Sequence, residues 1–197
     1  MRPNLKLMIV VLTVVALLGT GSVFASPASP ALGMDDSAYM SARASTLLAE
    51  IKKETAVLSP HADKLGTFAR NPEYSWQSHV FYLDQVKGHI NAIGERTAEL
   101  QQIRYAVLPW QEQAITEVTS QAAQVAASTQ AAIVYLNENQ GRRFVPEYRD
   151  HLTTIADSSD AMKQAVDSFL EYEKTQRRLQ DLQTSWSWVG DRLPSSN

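Results

Sequence analysis

From Asp35 onward, apolar side chains recur at intervals of three and four, and no stretch alternates with period two. A three-four rhythm keeps side chains on one stripe of an α-helix, whereas a strand needs period two. The spacing therefore predicts four long helices and no sheet. The first covers about Asp35 to Ala69, with Met40, Leu47, Ile51, Leu58, Ala62 and Leu65 inward. Ser59-Pro60 interrupts it, because proline lacks an N–H and crowds the preceding turn. The apolar phase carries on past Pro60, so the expectation is a kink or a restart capped by Ser59, not a domain boundary. The second helix is expected to start at Asn71-Pro72-Glu73, with Asn as cap and Pro in the first turn. Its seam reads Trp76, His79, Leu83, Val86, Ile90, Ile93, Thr97 and Leu100. Gly88 and Gly94 on this helix mark weak points or a close neighbour.

The third helix starts at Pro109 and ends near Asn139, with Ile115, Val118, Ala122, Val125, Thr129, Ala132 and Leu136 inward. The fourth starts at Pro146-Glu147 and is expected to reach about Leu182. Leu152, Ile155, Ser159, Met162, Val166 and Phe169 face inward, Glu173 breaks the stripe, and Leu179 and Leu182 resume it. Each helix spans roughly 45–55 Å at ~1.5 Å per residue, and the connections are short enough to force neighbours antiparallel. The expected fold class is all-α: an antiparallel up-down-up-down four-helix bundle with long helices and a kinked first helix, over residues 35–185.

Residues 1–25 do not belong to that bundle. Arg2 and Lys6 precede an apolar run from Leu7 to Leu18, and Val23-Phe24-Ala25 supplies a small-residue exit. That order is the pattern of a cleaved secretory signal, with an apolar run too short to span a bilayer. Cleavage after Ala25 would leave a Ser-, Pro- and Ala-rich leader over residues 26–34 and a protein exported to the periplasm or beyond the cell, with no membrane span. The chain has no cysteine, so neither disulfides nor thiolate-held metal centres contribute. Its net charge of −3 becomes more negative once Arg2 and Lys6 leave, which argues against nucleic acid as a partner.

Four strings stand out: Asn71-Pro72-Glu73-Tyr74-Ser75-Trp76-Gln77-Ser78-His79, Pro109-Trp110-Gln111, Ala132 to Gln140, and Pro146-Glu147-Tyr148-Arg149-Asp150. Together they resemble a group of exported bacterial helical-bundle proteins of unknown function. The resemblance implies a helical fold and carries no activity.

No zinc-protease, nucleophile-elbow or phosphate-loop motif occurs, nor the paired Glu-x-x-His of di-iron bundles. No catalytic residue and no cofactor is expected. Function is instead expected through contact with another envelope or secreted protein, as adaptor, chaperone-like factor or structural element. The alternative is a metal- or haem-binding bundle. Counted from the end where helices 1 and 2 join, His61, His79 and His151 come out at similar heights, and imidazoles from separate helices are how bundles hold metals. The C-terminal tail, residues 186–197, is the other candidate. Helix 4 is longer than helix 3, so its end overhangs. Trp186 and Trp188 there either fold back over Tyr105, Leu108 and Trp110 as a lid, the expected outcome for Trp186, or stay exposed for a partner.

Overall fold

A computed structural model describes residues 34–71, 73–139 and 145–190. The expected signal, residues 1–25, the expected leader up to residue 33, and residues 191–197 lie outside the described residues. Among the described residues the chain is almost entirely helical: α1 spans Met34–Arg70, α2 Trp76–Ile103, α3 Pro109–Glu138 and α4 Pro146–Gly190, with one turn of 3-10 helix at Arg104–Ala106.

α1 does not restart at Ser59. It runs through Pro60, and Leu58, Ala62, Leu65, Phe68 and Ala69 are buried on both sides of the proline. The carbonyl that Pro60 strips of its helical partner belongs to Ala56. Both residues sit on the exposed face, where water can satisfy it.

α2 starts four residues later than expected. Asn71 Oδ1 accepts the Glu73 N–H at 3.0 Å, closing a turn of its own, an option short polar side chains offer the backbone. The cap is Ser75, whose Oγ accepts the Ser78 N–H at 3.3 Å. From there the seam is as the spacing predicts: His79, Leu83, Val86, Ile90, Ile93, Thr97 and Leu100 are all buried. The α3 seam is equally legible, from Ile115 to Leu136, and is extended at its start by buried Gln111 and Ala114.

The core is one continuous cluster drawn from all four helices. α1 packs against α2 and α4, and α3 against α2 and α4. Partners meet in opposite order along α1 and α2, α3 and α4, and α1 and α4. Between α1 and α2, Arg43 meets Glu99 through two bonds of 2.7 and 2.9 Å, Glu50 meets Arg96 at 3.0 Å and Glu54 meets His89 at 2.9 Å. Between α3 and α4, Trp110 meets Tyr172, Gln124 meets Ser158 and Tyr135 meets Tyr148. Between α1 and α4, Ser45 bonds Glu173 at 2.6 Å and Lys52 bonds Asp167 at 2.8 Å. At Gly66 these two helices pass closely, since a Cβ built there would sit 3.0 Å from the Cβ of Ala156. No such neighbour faces Gly88 or Gly94. They are exposed helix-interior glycines, not contact points.

That contrast sets opposite outcomes for glycine substitution. Gly88→Ala and Gly94→Ala each remove backbone freedom from the unfolded chain and raise stability by about 0.5–1 kcal/mol. Gly66→Val forces α1 from α4 and lowers it by roughly 1–3 kcal/mol. Urea titrations of the three variants check this; a destabilised Gly94→Ala or a neutral Gly66→Val contradicts the packing.

Candidate functional site

Three places carry side-chain chemistry: a histidine-aromatic chain where α1 meets α2, a polar knot around Gln111, and the overhanging end of α4.

The later start of α2 decides the first. Capping at Ser75 instead of Asn71 shifts His79 by four residues, about 6 Å at ~1.5 Å per residue. His79 lies buried beside Phe68, ring centroids 5.0 Å apart, and its Nδ1 shares a 2.9 Å hydrogen bond with the Tyr148 hydroxyl. His61 instead meets Tyr82 at 5.7 Å and stacks on His89 at 5.9 Å. His151 is half-buried one turn beyond Tyr148. The expected layer of His61, His79 and His151 is not assembled, and among the described residues no group of three or more His, Asp or Glu side chains converges as a metal site. What forms is a run of ring contacts linking all four helices: His61, Tyr82, Phe68, His79, Tyr148 and Tyr135.

Burial lowers the His61 pKa, and the charge of neighbouring His89 lowers it further. His89 in turn is held by Glu54, which also lies 3.7 Å from Arg96. On the outer faces, Glu99 is held below its ordinary pKa by the hydrogen bond from Arg43, and Asp167 by the bond from Lys52.

Gln111 is fully buried yet fully engaged. Its Oε1 accepts from the Leu108 N–H at 3.0 Å and the Ser41 hydroxyl at 2.9 Å. Its Nε2 donates to the Ser41 carbonyl at 2.8 Å and to Ser45 Oγ at 3.0 Å. Ser45 passes the chain to Glu173, and Arg177 closes it on the same carboxylate. Glu173 and Arg177 pair at four-residue spacing along α4. Gln111 and Tyr148 were not singled out as buried, although each precedes a seam residue by four positions, Ile115 and Leu152.

Beyond this knot, among the described residues, α4 continues without a neighbour on one side. It does not end near Leu182 but runs to Gly190, so no chain reversal is available to bring Trp186 back over the core. Trp186 is 75 % exposed and Tyr105 70 %, and Trp110 is met by Tyr172 of α4 instead, centroids 5.9 Å apart. The lid expectation for Trp186 is therefore corrected. The Trp188 side chain lies outside what the structure describes. On the opposite face of this stretch, Ala42, Ser45 and Ala49 of α1 border a shallow groove of about 700 Å³ with Lys174, Arg177 and Arg178. No described helix is long and apolar enough to cross a membrane. Comparison with family models, curated proteins and solved structures finds no match.

The histidine cluster fixes a pH dependence. With its folded pKa below the ordinary 6.5, His61 resists a proton that the unfolded chain accepts, so stability falls as pH drops below about 6.5 and levels off below the folded value. The paired carboxylates Glu99 and Asp167 add a second decline toward pH 4 and below, for the same reason. In His61→Gln the first decline becomes shallower and the second stays. Denaturation curves between pH 8 and 3 report both; an unchanged first decline in the variant contradicts the assignment.

Proposed function

We propose that the chain is an exported, non-catalytic helical protein that acts through protein–protein contact. The observation that carries this is the apolar face of α4 beyond Tyr172. Tyr172, Leu179 and Leu182 are about half-exposed and Trp186 mostly so, at spacings of seven, three and four. A helix in water has no reason to keep such a stripe unless something covers it. The clusters with titratable groups favour no reaction. His79 is committed to Tyr148, His89 to Glu54, and Glu173 to Ser45 and Arg177.

The reading includes an antiparallel up-down-up-down bundle, supported by the opposite order of partners along three of the four adjacent helix pairs. It includes a kink in α1, for which the lost donor and crowding ring of Pro60 are the reason. It includes export with loss of residues 1–25, supported by the basic start, the apolar run and the Val-Phe-Ala exit. The partner belongs to the same compartment, the periplasm or the exterior. A rigid rod of four seams presenting one uncovered stripe suits an adaptor, chaperone-like or structural role.

One preparation tests these parts. The protein is recovered with its neighbours from a cross-linked envelope fraction, as wild type and as Leu179→Glu/Leu182→Glu. Mass spectrometry is expected to give an N-terminus at or near Ser26, and the wild type is expected to bring down specific proteins, its own chain among the possible ones, that the double variant loses. An intact Met1 form alone overturns export. Identical capture by both proteins overturns α4 as the contact surface.

A further inference from the structure

We infer that the cover of the α4 overhang is a second copy of this chain, paired through antiparallel packing of the two α4 ends. The inference rests on the contact reading above and names its partner.

Going round the helix at about 100° per residue, Tyr172, Leu179, Leu182 and Trp186 share an arc of roughly 80°. Glu173, Arg177 and Asp181 lie on the far side, where α1 supplies Ala42 and Ser45. α1 is thus not the cover. The stripe continues the face that α4 turns toward α3, since Tyr172 is the last residue met from that helix, by Trp110. α3 begins at Pro109, and α4 runs on for 18 residues past Tyr172, about 27 Å at ~1.5 Å per residue. What continues the seam must be another helix lying where α3 would have gone, in α3's direction, opposite to α4.

The end of a second α4 meets that requirement, and a two-fold axis lets each copy give and receive the same contact. With the axis between Leu179 and Leu182, Leu179 of one copy packs on Leu182 of the other. Trp186 then reaches the Trp110–Tyr172 contact of the other copy. Leu108, two residues before Trp110, is itself half-exposed. Leu108, Tyr172, Leu179, Leu182 and Trp186 together expose on the order of 550 Å² per copy, so about 1,100 Å² for the pair, at the lower edge of the ~1,200–2,000 Å² of stable interfaces before the bordering Gln176 and Gln183 are added.

Charge permits this orientation. Leu182 to Gly190 carry no charged residue, and Gln176 and Gln183 border the stripe. Antiparallel pairing lays the uncharged end of each helix along the turns holding Glu171, Lys174 and Arg178 of the other. Parallel in-register pairing sets each charge beside its own copy and leaves Leu108 bare.

Sedimentation equilibrium of the purified protein is expected to show a dimer, weakened roughly tenfold or more by Leu179→Glu/Leu182→Glu, with circular dichroism unchanged because both positions are on the surface. The absence of native cysteine allows a direct test of direction. Mixed under mild oxidation, Leu179→Cys and Leu182→Cys proteins are expected to join to each other, and neither to itself. A wild-type monomer at every concentration, a dimer indifferent to the double variant, or each cysteine variant joining itself overturns the proposal. Where the wild type is monomeric but the double variant alone loses capture of another envelope protein, or binding to phosphatidylcholine vesicles, the second copy falls and the contact surface stands. Where nothing is lost, both fall.

Discussion

An apolar seam along a helix needs a facing helix over every turn, and α4 has more turns than its neighbours can face. From Tyr148 to Val166 its inward residues sit in the shared core. At Tyr172 the last α3 side chain, Trp110, is reached. Past that point the three-four spacing persists without a described partner. The rest of the architecture follows from the same rule applied where it is satisfied: α2 and α3 keep unbroken seams because each faces neighbours along its length, and their ends coincide with turns.

Buried polar groups then fix which residues face which. Apolar packing alone tolerates slippage between long helices, and this chain has no disulfide to prevent it. Gln111 ties the start of α3 to Ser41 and Ser45 of α1, and through Ser45 to Glu173 of α4. At the other end, the His79–Tyr148 bond joins α2 to α4. Sliding either helix by one turn would leave a buried amide or imidazole without these partners, at a cost of about 1–3 kcal/mol each. The Arg43–Glu99 and Lys52–Asp167 pairs on the outer faces add direction but little energy, being largely exposed.

The helices and their seams were legible because periodicity is a property of tens of residues and survives local error. The α2 start was not, because Asn71 and Ser75 are both competent caps and only the competition between them decides. That four-residue difference was enough to dissolve the histidine layer, since the height of a side chain on a helix inherits every error in where the helix begins. The fate of Trp186 turned on the end of α4. Its sequence past Leu182 contains neither proline nor glycine until Gly190, and the helix simply continues. Tyr148 and Gln111 were readable as inward by position, but polar residues on a seam are easily assigned to its edge; their partners sit on other helices, about 70 residues away for His79 and Ser41.

The central claim is that the end of α4 is covered by its own copy, and amide hydrogen exchange across a dilution series reads it most directly. The amides from Leu179 to Trp186 should be slow to exchange at high protein concentration and fast when the protein is dilute, while those from Leu152 to Val166 keep the same protection throughout. Protection over Leu179–Trp186 that is absent at every concentration, or present and independent of it, would contradict the account.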